Sequence, residues 1–97
     1  MNKQQILNFL EKHKPELVRR FAVRDLALFG STARDEAGEE SDVDILVSFN
    51  GPATSARYFG LQFYLEDHLG LPVDLVTDKA LRPELRPYVD REAIHVG

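Results

Sequence analysis

Residues 28–49 read LFGSTARDEAGEESDVDILVSF. Two strand-like runs, over Val23–Phe29 and 42–49, stand on either side of a glycine–serine turn and a polar segment. The second run predicts a strand whose buried face carries Val43, Ile45, Val47 and Phe49. The turn at Gly30 is expected to lead into a short helix over 32–34, and the polar residues after it into a loop. The segment therefore predicts two adjacent strands connected by a turn.

The N-terminal residues carry the signals of a helix start. Asn2 can cap a helix, and Gln5, three residues later, completes a capping-box-like pair. Pro15 suits the first turn of a helix, so we expect a second helical piece to begin there. The sequence thus predicts two consecutive helical pieces before the first strand.

The second half of the chain alternates between helical and strand patterns. The expected elements are a helix over Ser55–Leu69 closed by Gly70, a strand over Val73–Thr77, a short helix over 83–89 and a short strand over 93–96. With the first half, this order predicts an α/β (α+β) fold in which helices pack on a small mixed β-sheet. We expect one domain over residues 1–97.

The composition favours a globular protein and disfavours long nucleic acid as its partner. The chain has 97 residues, 43% of them hydrophobic, and a net charge of −4 from 12 Lys+Arg against 16 Asp+Glu. Its basic residues form no stripe, which disfavours a polynucleotide partner. No apolar run approaches the roughly 20 residues of a membrane helix, and the N-terminus lacks the apolar stretch of a secretory signal. The absence of cysteine excludes disulfides and thiolate metal sites, and we expect a cytoplasmic protein.

Asp42 and Asp44 are the first candidates for chemistry. Residues two apart on a strand point to the same face, so the two carboxylates should project together. Neighbouring carboxylates repel each other unless a cation lies between them, and Mg²⁺ prefers a few carboxylate oxygens supplemented by water and substrate phosphates. We therefore interpret the pair as magnesium ligands. The simpler alternative is an acidic pair on the surface.

The turn before this pair offers groups that bind phosphate. Gly30 has no side chain, so a phosphate can approach the backbone closely. The Ser31 hydroxyl and the backbone N–H groups at the start of the short helix can donate hydrogen bonds to an anion. Arg34 could reach the phosphate tail of a nucleotide, or pair instead with a neighbouring carboxylate. Gly30, Ser31 and Arg34 are therefore candidate nucleotide-binding residues.

Asp74 would complete a set of three aspartates, because an acidic residue in a short strand needs a partner. In a two-metal scheme, Asp42 and Asp44 bridge both ions. Asp74 then holds the ion at the acceptor hydroxyl and serves as, or lies near, the general base. The acceptor would attack the α-phosphorus of a nucleotide in line as pyrophosphate leaves. A solvated aspartate at a strand edge is the alternative interpretation.

The spacing of these residues resembles that of a known superfamily. Gly-Ser, ten residues and Asp-x-Asp form the signature of the polymerase-beta-like nucleotidyltransferases, which Gly30-Ser31 and Asp42-Val43-Asp44 match without a gap. The small size, Ala33-Arg34 after Gly-Ser-Thr, and the Val-Asp-Leu-Val strand at Asp74 look like the minimal nucleotidyltransferase subfamily. The likeness extends roughly from Leu26 to the end of the chain.

Members of this subfamily are commonly antitoxins of HEPN-domain ribonuclease toxins, and some adenylylate a tyrosine of the toxin. The resemblance therefore implies a transferase with ATP as donor and two Mg²⁺ ions as cofactor. It also implies a HEPN-type toxin as partner and a toxin tyrosine as acceptor. By the same resemblance, Asp42, Asp44 and Asp74 are the catalytic and metal-binding residues.

Two other functions are compatible with the sequence. The chain could neutralise a partner by binding alone with a vestigial site, although no site position is replaced. It could also be a small-molecule nucleotidyltransferase similar to aminoglycoside-modifying enzymes, which would need a homo-oligomer to supply the acceptor pocket. His13, His68 and His95 have no metal-ligand spacing, and we expect them to be structural or surface residues.

Overall fold

The computed structural model describes residues 2–33 and 42–96, with only the backbone described at Ser31 and Thr32. The polar segment predicted as a loop, and Arg34 before it, lie outside these residues. Among the described helices, none is long and apolar enough to cross a lipid bilayer.

The described elements follow the order of helices and strands predicted from the sequence. They are α1 Lys3–Phe21, β1 Val23–Phe29, α2 Gly30–Ala33, β2 Val43–Phe49, α3 Ser55–Leu69, β3 Val73–Thr77, α4 Arg86–Glu92 and β4 Ile94–Val96. Two 3₁₀ turns, Asp78–Ala80 and Pro83–Leu85, connect β3 to α4. The predicted short helix over 83–89 is thus a 3₁₀ turn followed directly by α4.

The four described strands form one mixed sheet, as predicted. Their order is β3-β2-β1-β4. Strand β1 is antiparallel to β2 and to β4, whereas β2 and β3 are parallel. Parallel neighbours require a crossover connection, which α3 provides between β2 and β3. The sheet therefore brings the ends of β1, β2 and β3 side by side.

One face of the sheet carries the main core. The predicted inward residues of β2 are all buried: Val43, Ile45, Val47 and Phe49. They pack in one cluster with buried residues of α1 and α3, among them Leu10, Leu17, Leu61 and Leu65. Because side chains alternate along a strand, the residues between them point to the other face.

The second face is covered by α4 and the turns before it. Ala27 of β1, Leu46 of β2 and Val89 of α4 form a small separate core, with Val76 and Leu81 packed against it. This cluster is much smaller than the first, so the second face is only partly covered. The aspartates of β2 and β3 lie on this face, because Val43 and Val73 beside them are buried on the first.

Helix α1 confirms one prediction and corrects another. Its N-cap is Asn2, and the capping box with Gln5 is complete: each backbone N–H donates to the side-chain oxygen of the other residue, with a nitrogen–oxygen distance of 2.9 Å. The second helical piece expected at Pro15 does not exist, since α1 runs through that residue. A proline inside a helix costs about 3 kcal/mol. Burial of Leu10 and Leu17, two turns apart on one helix face, offsets this cost.

Candidate active site

Gly30 links β1 to α2 at the edge where the predicted site residues lie. Its φ of +71° falls in the left-handed region, which glycine adopts without steric cost. A Cβ atom at this position would lie 2.1 Å from Oδ2 of Asp44 and 2.9 Å from its Cγ. Glycine is therefore required here for two reasons, the backbone conformation and the close approach of the Asp44 carboxylate.

Asp44 and Asp74 are paired across β2 and β3. Their Cα atoms are register partners in the parallel ladder, and Asp44 is also the partner of Phe29 in the antiparallel ladder. Asp44 is half-buried and Asp74 is exposed. The structure thus brings Gly30, Asp44 and Asp74 together on the second face at one edge of the sheet.

Asp42 lies immediately before β2 and is exposed. A hydrogen bond of 2.9 Å from the N–H of Val43 to the carbonyl of Pro72 holds the beginning of β2 against the approach to β3. Asp42 therefore lies where the chain enters β2, beside the Asp44–Asp74 pair and two residues before Asp44. Of the predicted nucleotide-binding residues, Ser31 belongs to α2 by its backbone, and Arg34 lies outside the described residues.

The described part of the chain, residues 2–33 and 42–96, contains no group of three or more His, Cys, Asp or Glu side chains close enough to hold a metal ion. The donor chemistry nevertheless fits Mg²⁺, which is usually held by one or two carboxylates together with substrate phosphates and water. The neighbouring carboxylates of Asp44 and Asp74 match that requirement, and their role as metal ligands stays a prediction.

An open groove of about 590 Å³ adjoins these residues. Gly30 and Asp74 lie at its sheet side, and α4 with the turns before it forms the opposite side. Leu85 and Tyr88 line that opposite side. Neither residue belongs to a motif in the sequence. Their spacing of three within a short helical segment was the only available signal, because it places both on one helix face.

His13 and His68 lie away from this edge, between α1 and α3. They are distant in sequence but adjacent in space, with ring centroids 5.4 Å apart. His13 Nδ1 lies 2.7 Å from the hydroxyl oxygen of Tyr64, and the rings of Tyr64 and His68 stack at 4.1 Å. These contacts join the two helices, which agrees with the structural role predicted for both residues.

Comparisons with known proteins agree with the sequence resemblance. Residues 10–95 match the family model of the nucleotidyltransferase domain. The protein adenylyltransferase MntA of Thermococcus cleftensis is 44% identical over 93 residues, which span 96% of this chain and 94% of the relative. A solved structure called "Structure of putative minimal nucleotidyltransferase" is 38% identical, with a TM-score of 0.82 over 97% of this chain and 95% of the other.

A more distant structure shares the fold. It is a complex of a tri-AMPylated HEPN toxin of Shewanella oneidensis with an MNT antitoxin. One of its chains matches with a TM-score of 0.65 at 22% identity, over 92% of this chain and 70% of that chain. The 44% identical relative and the 38% identical structure confirm the resemblance to minimal nucleotidyltransferases, and the chain is an enzyme of the nucleotidyl-transfer class. The family match over residues 10–95 and the 44% identity to MntA show that the chain belongs to the nucleotidyltransferase domain family.

Proposed function

We propose that this nucleotidyltransferase moves AMP from ATP to a protein hydroxyl, a tyrosine of a HEPN-type toxin, and thereby acts as an antitoxin. The observation that carries the proposal is the position of the Asp44 carboxylate between the Gly30 turn and Asp74. AMP and a protein acceptor are supported by the name of the relative that is 44% identical, a protein adenylyltransferase. The complex of an MNT antitoxin with an AMPylated HEPN toxin supports the toxin as partner.

Each site residue has a role in this proposal. The backbone at Gly30 and Ser31 binds the triphosphate, because the glycine leaves room for phosphate oxygens beside the Asp44 carboxylate. Arg34 neutralises charge on the phosphate tail. Asp42, Asp44 and Asp74 are the ligands of Mg²⁺. When bound, Mg²⁺ supplies charge neutralisation at the phosphates and lowers the pKa of the acceptor hydroxyl.

The transfer itself is a substitution at phosphorus. The tyrosine oxygen forms a bond to the α-phosphorus of ATP, the bond from that phosphorus to the bridging oxygen breaks, and pyrophosphate leaves. Asp74 receives or directs the hydroxyl proton at the acceptor end of the site. Most of the rate enhancement comes from holding the two reactants in line and from neutralising phosphate charge, and little of it from covalent chemistry.

The test is the growth of host cells that express the proposed partner, the HEPN-type toxin of the host. The partner is expressed alone, with the wild-type chain, or with an Asp42→Asn/Asp44→Asn double variant, and an Asp67→Asn variant serves as the control because Asp67 is exposed on α3. We expect the partner alone to arrest growth, and wild type and Asp67→Asn to restore it. The double variant should not restore growth. A partner that does not arrest growth would overturn the antitoxin role.

The second candidate is an antitoxin that acts by binding alone. Phe59 and Phe63 favour it, since both are exposed on α3, to 50% and 61%, on the side of the sheet away from the aspartates. Exposed neighbouring aromatic side chains are typical of surfaces that a partner protein covers. Equal rescue of growth by wild type and the double aspartate variant would favour this candidate.

A further inference from the structure

The groove beside Asp74 has two unlike sides. Its sheet side contains Asp74 and Gly30 at one end and the aliphatic side chain of Val76 beyond them. Its other side carries Leu85 and Tyr88. The groove is thus continuous with the candidate active site at one end and runs from there along an apolar wall.

The two large side chains of the apolar wall are exposed to solvent. Leu85 is 45% exposed and Tyr88 is 58% exposed, and they are two of the five large hydrophobic side chains exposed in the described ranges. The guanidinium of Arg91 lies 5.3 Å from the ring centroid of Tyr88, and Arg82 also lines the groove. Tyrosine and arginine around an exposed aliphatic residue are the composition typical of the energetically important part of protein–protein interfaces.

The wall is held in a fixed position. Val89, next to Tyr88, is buried against Ala27 and Leu46 of the sheet. On the same helix, Arg86 forms a 2.7 Å ion pair with Asp78 in the turn after β3. Leu85 and Tyr88 are therefore presented on an anchored element, and a partner that binds them does not have to order a mobile loop first.

The exposure of this wall favours a polypeptide over a nucleobase. A small-ligand pocket typically encloses most of its ligand, whereas Leu85 and Tyr88 are 45% and 58% exposed. The charged side chains that line this groove within the described residues are Asp74, Arg82 and Glu92, and the surface between them is apolar. An extended protein segment suits such a surface, because it can place an apolar side chain in the groove and a hydroxyl at Asp74.

We propose that this groove binds the segment of the partner protein that carries the acceptor hydroxyl, with Leu85 and Tyr88 contacting an apolar side chain close to that hydroxyl. The proposal rests on the function proposed above and adds to it the surface that selects the acceptor. Leu85 and Tyr88 are positioning residues in this scheme, and the apolar neighbour of the acceptor tyrosine determines which tyrosine is modified.

The test measures transfer of label from α-labelled ATP to the acceptor band in host extract, at several extract dilutions. Leu85→Ser is compared with Val18→Ser, a matched control because Val18 is an aliphatic residue 41% exposed on α1, across the sheet. We expect the half-saturating extract concentration to rise about tenfold or more in Leu85→Ser and in Tyr88→Ala, as for loss of an interface hot spot. Binding of a fluorescent ATP analogue should be unchanged in both.

A second measurement does not depend on activity. A benzophenone amino acid replaces Leu85 in an otherwise intact chain, and replaces Val18 in the control. The cross-linking is done without ATP and Mg²⁺. Light should link position 85, and not position 18, to the protein that receives the AMP label in the transfer experiment. This cross-link also keeps the proposal testable if Leu85→Ser folds poorly.

The outcomes separate the two proposals. One outcome is that wild type labels a discrete protein while Leu85→Ser and Tyr88→Ala label the same protein with the half-saturating extract concentration of wild type. That result overturns the groove proposal and leaves the proposed function standing. If wild type labels no protein, both proposals fall. If the label appears on this chain itself and is lost in Tyr88→Phe, Tyr88 is an acceptor and not a docking residue, which also overturns the groove proposal.

Discussion

The carboxylate of Asp44 lies against the backbone of Gly30 so closely that a Cβ atom at residue 30 would stand 2.1 Å from Oδ2. The contact joins β2 to the turn after β1, because Asp44 is paired with Phe29 in the sheet. Its consequence is that the Gly-Ser half and the Asp-x-Asp half of the sequence motif meet through a glycine and a carboxylate. A larger residue at position 30 would displace the carboxylate.

Gly30→Ala should therefore reduce nucleotidyl transfer strongly. The new Cβ would push the Asp44 carboxylate out of place, and a misplacement of about 1 Å can cost about 100-fold in rate. The measurement is the initial rate of AMP transfer under saturating ATP. Gly70→Ala is the matched control, since Gly70 has a φ of +69° but nothing within 4 Å of its added Cβ. Equal losses in the two variants would show that backbone strain, and not the contact with Asp44, accounts for the effect.

Asp74→Asn should lower the rate of transfer while leaving ATP binding intact. In our proposal Asp74 acts at the acceptor end of the site, and loss of a general base typically costs about 10²–10⁴-fold. The turnover rate and the affinity for an ATP analogue are measured separately, with Asp67→Asn as the exposed control. A variant that loses ATP affinity but keeps its turnover rate would place Asp74 at the donor end instead.

Stability should fall at mildly acidic pH through His13. Burial lowers the pKa of His13 below its ordinary 6.5, neighbouring His68 and Lys12 lower it further, and Glu16 acts in the opposite direction. The unfolded chain therefore binds a proton at His13 more readily than the folded chain does. The stability that comes from keeping His13 neutral is fully present above about pH 6.5, and it is lost as the pH falls below that value toward the lowered pKa of the folded state. We expect the melting temperature of His13→Asn to depend less on pH than that of wild type between about pH 7.5 and 5.5.

The control for this pH dependence is His95→Asn, because His95 is exposed on β4. Its melting temperature should follow the wild-type curve across the same range. If His13→Asn retains the full wild-type slope, another group is responsible. The comparison uses slopes and not absolute melting temperatures, since removal of His13 also breaks its hydrogen bond with Tyr64.

Leu65→Ala should destabilise the fold by about 2–5 kcal/mol, because deletion of a fully buried leucine side chain leaves a cavity in the main core. The free energy of unfolding is measured by urea denaturation. Phe63→Ala is the control on the same helix, and at 61% exposure its effect should stay within about 0.5 kcal/mol. Similar losses in both variants would mean that the face of α3 assigned to the core is incorrect.

Local patterns predicted the elements well, whereas contacts between distant segments were not predictable. The alternation in β2 identified its buried face because side chains on a strand have a period of two. The capping pair of Asn2 and Gln5 is a property of four consecutive residues, and it was also correct. Pro15 misled the prediction because helix continuity there depends on the packing of α1 against the sheet, which no local rule contains.

The same distinction applies to the candidate site. The motif spacing predicted that Gly30 and Asp44 belong to one site, but their contact depends on the register of β1 with β2. The groove wall at Leu85 was not predicted, since it becomes part of a site only when α4 folds back toward Asp74. Contact between His13 and His68 was missed for the same reason.

Transfer of label from ATP to protein shows whether the chain adenylylates a protein through Asp42 and Asp44. Purified wild type and the Asp42→Asn/Asp44→Asn double variant are incubated with Mg²⁺, ATP labelled at the α-phosphate and an extract of the host, and the proteins are separated by gel. We expect label on one discrete protein with wild type and none with the double variant. Label that persists in the double variant would contradict the role of these aspartates. No label with wild type for any nucleoside triphosphate would contradict protein nucleotidyl transfer itself.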